Sequence, residues 1–182
     1  MIELPDYAMP ACMAEGGAET AILDILLDND LLVFSREALY QKKILPRVGG
    51  REFADRYLRY GLSKPLFLFR VIDSKAEKFR LPTAYQKKVT DYRILTRPEI
   101  EMLIIISEGK YTEYERYRNS RKSENRPSDF CVEKLRLKDV KKPKFVNDYF
   151  ADPEKLVSAI REYRRVHKQE KGDYSIFDLL KE

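Results

Sequence analysis

Histidine and cysteine are scarce in this chain. One histidine, His167, and two cysteines, Cys12 and Cys131, occur among 182 residues. The cysteines stand far apart and match no metal-ligand spacing, so they read as two buried thiols in a reducing compartment. With so few nitrogen and sulfur donors, a zinc site, a Ser-His-Asp triad and a Cys-His pair lack their parts. Hydrolytic chemistry here has to rest on carboxylates, with or without a hard metal ion. Long hydrophobic runs are absent too. Nothing approaches the roughly 18 apolar residues of a membrane span. The opening MIELPDYAMP lacks the basic-plus-apolar layout of a secretory signal. The expectation is a cytoplasmic protein with no membrane partner.

What the chain holds in quantity is charge. Apolar residues make up 43%, enough to exclude wholesale disorder, and the length allows a buried core without disulfides or metals. The net charge of +5 is unevenly placed. The excess of Lys and Arg lies between Lys110 and Lys171, and the remainder is slightly acidic. That layout would set a carboxylate site beside an anion-binding surface; the plainer explanation is a set of solvated helix faces.

Along the first portion the two periodicities alternate. Residues 8 to 14 read as a short buried strand, and Ala18 to Asp28 as a helix with Ala21, Ile22, Ile25 and Leu26 on one face. Leu31 to Phe34 (LLVF) is a second strand candidate. From Gly49, GGREFADRYLRYGL reads as a helix ending at Gly61. PLFLFRVID, residues 65 to 73, is a continuous apolar run ending in Asp73, as expected of a parallel strand covered on both faces. Val89 to Leu95 is a further strand. In TRPE, Thr96 reads as the N-cap of the next helix, with Pro98 in its first turn and Glu99 at the capping-box position. Strand and helix in alternation predict an α/β fold with a parallel sheet. Beyond Gly109 the composition becomes basic and tyrosine-rich. A helix followed by a loop, a basic connector KDVKKPKF, an amphipathic helix capped by Asp152-Pro153 and running to about Lys168, and a short SIFDLL docking segment are expected there. The predicted division is a core of residues 1–109 and a basic, mostly helical extension of residues 110–182 packed on it.

Parallel α/β sheets put their chemistry at the C-terminal ends of strands, and acids fall at those places. Glu15 ends the first strand, Glu19 lies in the first turn of the following helix, and Asp73 ends the third strand. Glu99 and Glu101 open the helix after the fourth. If the strand ends share one edge, these carboxylates converge, and their repulsion calls for cations. Oxygen-only ligands select Mg²⁺ or Mn²⁺, and such ions can activate water for phosphodiester cleavage. The competing explanation for Glu19, Glu99 and Glu101 is the helix dipole, which favours acids at helix starts by about 0.3–1 kcal/mol each.

MAEGGAETAILDILL resembles the opening of a Toprim domain, the metal-dependent fold of topoisomerases, primases and OLD-type nucleases. The Glu15-Gly16-x-x-Glu19 spacing is similar to the OLD-type version, and TRPEIEMLI is similar to that group's Arg-x-x-Glu-x-Glu helix start. The resemblance covers about residues 8 to 110. It implies a Toprim-like sheet flanked by helices and a nuclease acting on DNA or RNA with Mg²⁺ or Mn²⁺, in defence against foreign genetic elements such as phage. Glu15 and Asp73 would be catalytic; Glu15, Glu19, Asp73 and Glu101 would serve the metal. One departure stands out. The family's Asp-x-Asp is here Asp73-Ser74-Lys75. Either the metal site is lost, or Glu77 supplies the missing carboxylate, or Lys75 contacts a phosphate in place of a second metal. The alternative function is a catalytically inactive Toprim-like module that binds nucleic acid or a protein partner in a larger complex.

Arg116, Arg118, Arg121 and Lys122 are interleaved with Tyr111, Tyr114 and Tyr117, and Lys141, Lys142 and Lys144 follow in the connector. Cations bind phosphates and tyrosines can stack on unpaired bases, so these residues are the candidate nucleic-acid face. The tyrosines also fall at helical spacing of three, which equally suits a stripe docked on the core.

Overall fold

The computed structural model describes residues 2–74, 76–96, 100–120, 126–167 and 172–181. Its centre is a four-stranded, all-parallel sheet: β1 (Met9–Ala14), β2 (Leu45–Pro46), β3 (Leu66–Ile72) and β4 (Val89–Leu95), in the order β2-β1-β3-β4. Helices flank it, as the alternating periodicities require, so the fold is α/β.

The apolar runs form strands because both faces of the sheet are covered. Side chains alternate between faces with a period of two. On one face Cys12 and Ala14 of β1 and Phe69 and Val71 of β3 join a large core; on the other, Ala11, Met13, Leu66 and Leu68 join a smaller one. Helix α1 (Gly17–Asp28) packs Ile22, Leu23 and Leu26 into the large core. The smaller core is closed by α2 (Gly50–Phe53), which runs on as a wider π-type turn over Ala54–Leu58. A short α3 (Thr83–Gln86) leads into β4.

Two expectations about the first portion need correction. LLVF is not a sheet strand. Leu32 makes only an isolated antiparallel bridge to Leu180, and the Val33 N–H donates to the Leu179 carbonyl. The run is apolar because Leu32 and Phe34 are buried, which periodicity cannot distinguish from sheet burial. The second strand is instead Leu45–Pro46, too short to carry a pattern. Thr96 does not cap a helix either. Its hydroxyl donates to the Ile72 carbonyl at 3.2 Å, and α4 (Glu101–Ser107) begins at Ile100 without a side-chain cap. Pro98 and Glu99, the rest of the expected capping box, lie outside the described residues.

The later portion comprises α5 (Tyr111–Ser120), α6 (Pro127–Glu133), α7 (Pro143–Tyr149) and α8 (Pro153–Val166), with a 3₁₀ turn at Ile176–Leu179. KDVKKPKF is only partly a connector, since Pro143 opens α7 at the favoured first-turn position. Asp152 caps α8 as expected, accepting the Glu154 N–H at 3.0 Å. Leu156, Val157 and Ile160 of α8, with Phe130, Val146 and Phe150, belong to the same large core as β1 and β3. Among the described residues no helix is long and apolar enough to cross a membrane.

Candidate functional site

The strand order reverses direction at β1: the chain moves outward to β2 on one side, then returns to place β3 on the other. In open parallel sheets the crevice at such a switch point, beyond the carboxyl ends of the strands, is where ligands bind. Here Ala14 of β1 is level with Val71 of β3, so Glu15 and Asp73 leave the sheet side by side. Beyond that edge lies a cleft of about 660 Å³. Glu19, Asp73, Glu101, Lys141 and His167 line it, along with Gly16, Gly17, Thr96 and Tyr114.

Local chemistry explains how each acid arrives there. Gly16 is the N-cap of α1, and a Cβ on it would run into the Glu19 carboxylate, which folds back over the helix start. That position also suits the helix dipole. A Cβ on Gly17 would stand 2.7 Å from Cγ of Pro143, so this glycine lets α7 close against the start of α1. Asp73 is exposed immediately after β3. Glu101, in the first turn of α4, is fully buried; its Oε1 lies 3.1 Å from Nζ of the half-exposed Lys141.

Glu15 and Glu77 are held differently. Arg47, just beyond β2, donates to Glu15 and, through Nε at 3.1 Å, to Glu77. Burial works to lower the Arg47 pKa. The hydrogen bond to Glu77 and the charges of Glu77, Glu15 and Asp73 outweigh it, so the guanidinium is held above its ordinary value. Glu77 also accepts from Nη1 of Arg70 at 2.8 Å. Arg70, 2% exposed, forks onto Asp91 of β4 at 2.6 and 2.9 Å and covers the Phe79 ring at 4.4 Å. Two arginines thus supply much of the positive charge the acidic edge demands, a role the sequence suggested for metal ions.

The structure therefore brings Glu19, Asp73 and Glu101 to one cleft and ties Glu15 and Glu77 into an arginine-linked chain. Among the described residues, no three His, Cys, Asp or Glu side chains gather into a group able to hold a metal. Lys75, Arg121 and Lys122 lie outside the described residues. Arg116, Arg118, Lys141, Lys142 and Lys144 are exposed; Arg118 pairs with Glu115 and Lys142 with Asp139. Tyr114 and Tyr117 are buried, edge-on to Phe130 at 5.5 and 5.3 Å. These two rings are part of the core, and Tyr111 packs against it half-buried.

Three residues of the site escaped sequence reasoning. Arg70 left a signal, a lone cation in the otherwise apolar LFLFRVI. Arg47 follows a two-residue strand and left none. His167 belongs to no motif, yet it lines the cleft with its ring stacked on Tyr163 at 5.1 Å. The two cysteines are buried as expected. Burial, aided by Asp24 at Cys12 and by Glu101 at Cys131, pushes both thiols up to about 12, which leaves them inert. Comparison with protein-family models, with curated proteins and with solved structures finds no match to this chain.

Proposed function

We propose that the cleft at the β1–β3 switch point acts on nucleic-acid phosphodiesters with the help of a divalent cation. The observation that carries this reading is the convergence of Glu19, Asp73 and Glu101, from three separate elements, on one cleft that also presents Lys141 and His167. An all-oxygen donor set suits Mg²⁺ or Mn²⁺. Mg²⁺ commonly uses only one or two carboxylates, filling its sphere with waters and substrate phosphates, so the lack of a three-ligand cage does not oppose it. Glu19 and Asp73 would hold the ion. Bound there, it would polarise a phosphoryl oxygen and help generate a nucleophilic water.

The chain's own groups have separate tasks. Lys141, anchored on Glu101, offers a cation to a phosphate entering the cleft. His167 offers an imidazole to the cleft, a group whose ring nitrogens can take up and pass on a proton. Arg47 pairs with Glu15 just beyond the end of β1. The likeness to OLD-type Toprim proteins adds a defence role against foreign genetic elements, in a cytoplasmic setting.

A second reading has its own observation. Because Arg47 and Arg70 already meet the charges of Glu15 and Glu77, the fold also suits a binding module without chemistry. Cleavage assays on DNA and RNA separate the two. Mg²⁺- or Mn²⁺-dependent cleavage that is lost in Glu19→Gln and Asp73→Asn supports the enzyme. Salt-sensitive binding without cleavage under either metal establishes the module. Neither binding nor cleavage overturns both readings.

A further inference from the structure

A second concavity lies on the β2 side of the molecule, away from the acidic cleft's lining. It is an open depression of about 430 Å³ formed by Gly49, Gly50, Arg51, Lys78 and Arg80. Among the described residues three cations line it and no carboxylate does. Among the described residues none of the three side chains makes an ion pair or side-chain hydrogen bond. Arg47 and Arg70 nearby are, by contrast, fully engaged.

The depression is built rather than incidental. Residues 78–81 run without helix or sheet pairing, and alternate side chains take opposite sides. Phe79 and Leu81 pack against the smaller core, Phe79 edge-on to Phe53 at 5.9 Å and beneath the Arg70 guanidinium. Lys78 and Arg80 are left exposed on the other side. Gly50 then brings the neighbouring segment into contact. It is buried, and a Cβ on it would collide with the backbone carbonyl of Arg80. Only glycine at position 50 lets this segment lie so close to the Arg80 backbone, and Arg51 and Arg80 then line the same depression. Three like charges held together cost free energy through repulsion, and an anion relieves it. Guanidinium forks match phosphate oxygens, and an ammonium adds a point charge.

We propose that this depression is a phosphate-binding pocket that holds a backbone phosphate of a nucleic-acid strand. The phosphate chemistry follows from the three cations. Assigning it to a nucleic-acid strand rests on the phosphodiester reading of the cleft, with which the pocket shares one connection: Asp73 at its start lines the cleft, and Lys78 and Arg80 further along line the pocket.

The test uses the full chain in EDTA, so that cleavage plays no part and its presence or absence cannot affect the result. Binding of a fluorescein-labelled single-stranded oligonucleotide is followed by anisotropy over a range of KCl. The triple variant Arg51→Gln/Lys78→Gln/Arg80→Gln is expected to bind about tenfold more weakly, with a salt slope shallower by about 1. All three side chains are exposed, so the variant's melting temperature should match wild type. In a second arm, wild-type amide resonances are followed during titration with inorganic phosphate. Shifts confined to residues 49–51 and 78–80 support the pocket whatever the variant does. If phosphate produces them but the triple variant binds the oligonucleotide normally, the occupant is a small phosphate anion and the nucleic-acid assignment is overturned. Unchanged oligonucleotide binding together with no phosphate-induced shifts overturns the pocket itself.

Discussion

Arg70 offers the most demanding test of how the acidic edge is held. Its guanidinium is 2% exposed and meets two carboxylates, Asp91 at 31% exposure and Glu77 at 9%. Removing one partner of a buried ion pair costs about 3–5 kcal/mol, because the other charge is left behind. Here Asp91 can rehydrate, and Glu77 keeps Arg47 on its other oxygen, which places Arg70→Met at the low end, about 3 kcal/mol. For a chain of this size that corresponds to a fall in melting temperature of about 6–12 °C. Urea titration reads it as a lower midpoint at unchanged slope. Two companions check the cause. Arg70→Lys keeps the charge but loses the bidentate fork, and should fall between wild type and Arg70→Met. Arg70→Met/Glu77→Gln removes the more buried of the two carboxylates left behind and should recover much of the loss. A change below about 0.5 kcal/mol in Arg70→Met, or no recovery in the double variant, would refute the clamp.

Other consequences are simpler to state. Gly16→Ala meets only the end of the Glu19 side chain, so stability should change by less than about 1 kcal/mol while metal-dependent activity falls, as thermal melts and cleavage assays would show. Gly50→Ala meets backbone and should cost about 1–3 kcal/mol in urea denaturation. Cys131 is held in its thiol form when folded, with its pKa raised from 9.0 to about 12. That contribution is complete below about pH 9 and is lost as pH rises toward 12. The stability difference between wild type and Cys131→Ala should therefore shrink over that window. A constant difference would contradict the burial effect.

Much of the sheet is legible in the sequence because its two central strands are covered on both faces and so are largely apolar, as MPACMA and LFLFRVI are. The edge strand VTDYRIL, exposed at Thr90, Asp91 and Arg93, is legible from its β-branched and aromatic residues instead. LLVF has the central strands' apolar character for a different reason, since Leu32 and Val33 bridge to the distant Leu179–Leu180 segment and Phe34 stacks on Phe69. No local pattern can reveal a partner nearly the whole chain away. Glu19, Asp73 and Glu101 were readable because strand ends and first helical turns are fixed by the elements themselves. Arg47 and Arg70 were not, because the partners of a buried cation depend on which strands are neighbours. That knowledge turns a row of acids from a presumed metal cage into a mixture of arginine pairs and cleft-lining carboxylates.

In the proposed site Glu19 and Asp73 hold a divalent ion in the switch-point cleft. Mn²⁺ titration followed by electron paramagnetic resonance, with a non-cleavable nucleic-acid analogue present, tests it most directly. One saturable site is expected in the wild-type protein, abolished in Glu19→Gln/Asp73→Asn and retained in the Arg51→Gln/Lys78→Gln/Arg80→Gln variant. No saturable Mn²⁺ binding in wild type, or binding that survives loss of both carboxylates, would contradict it.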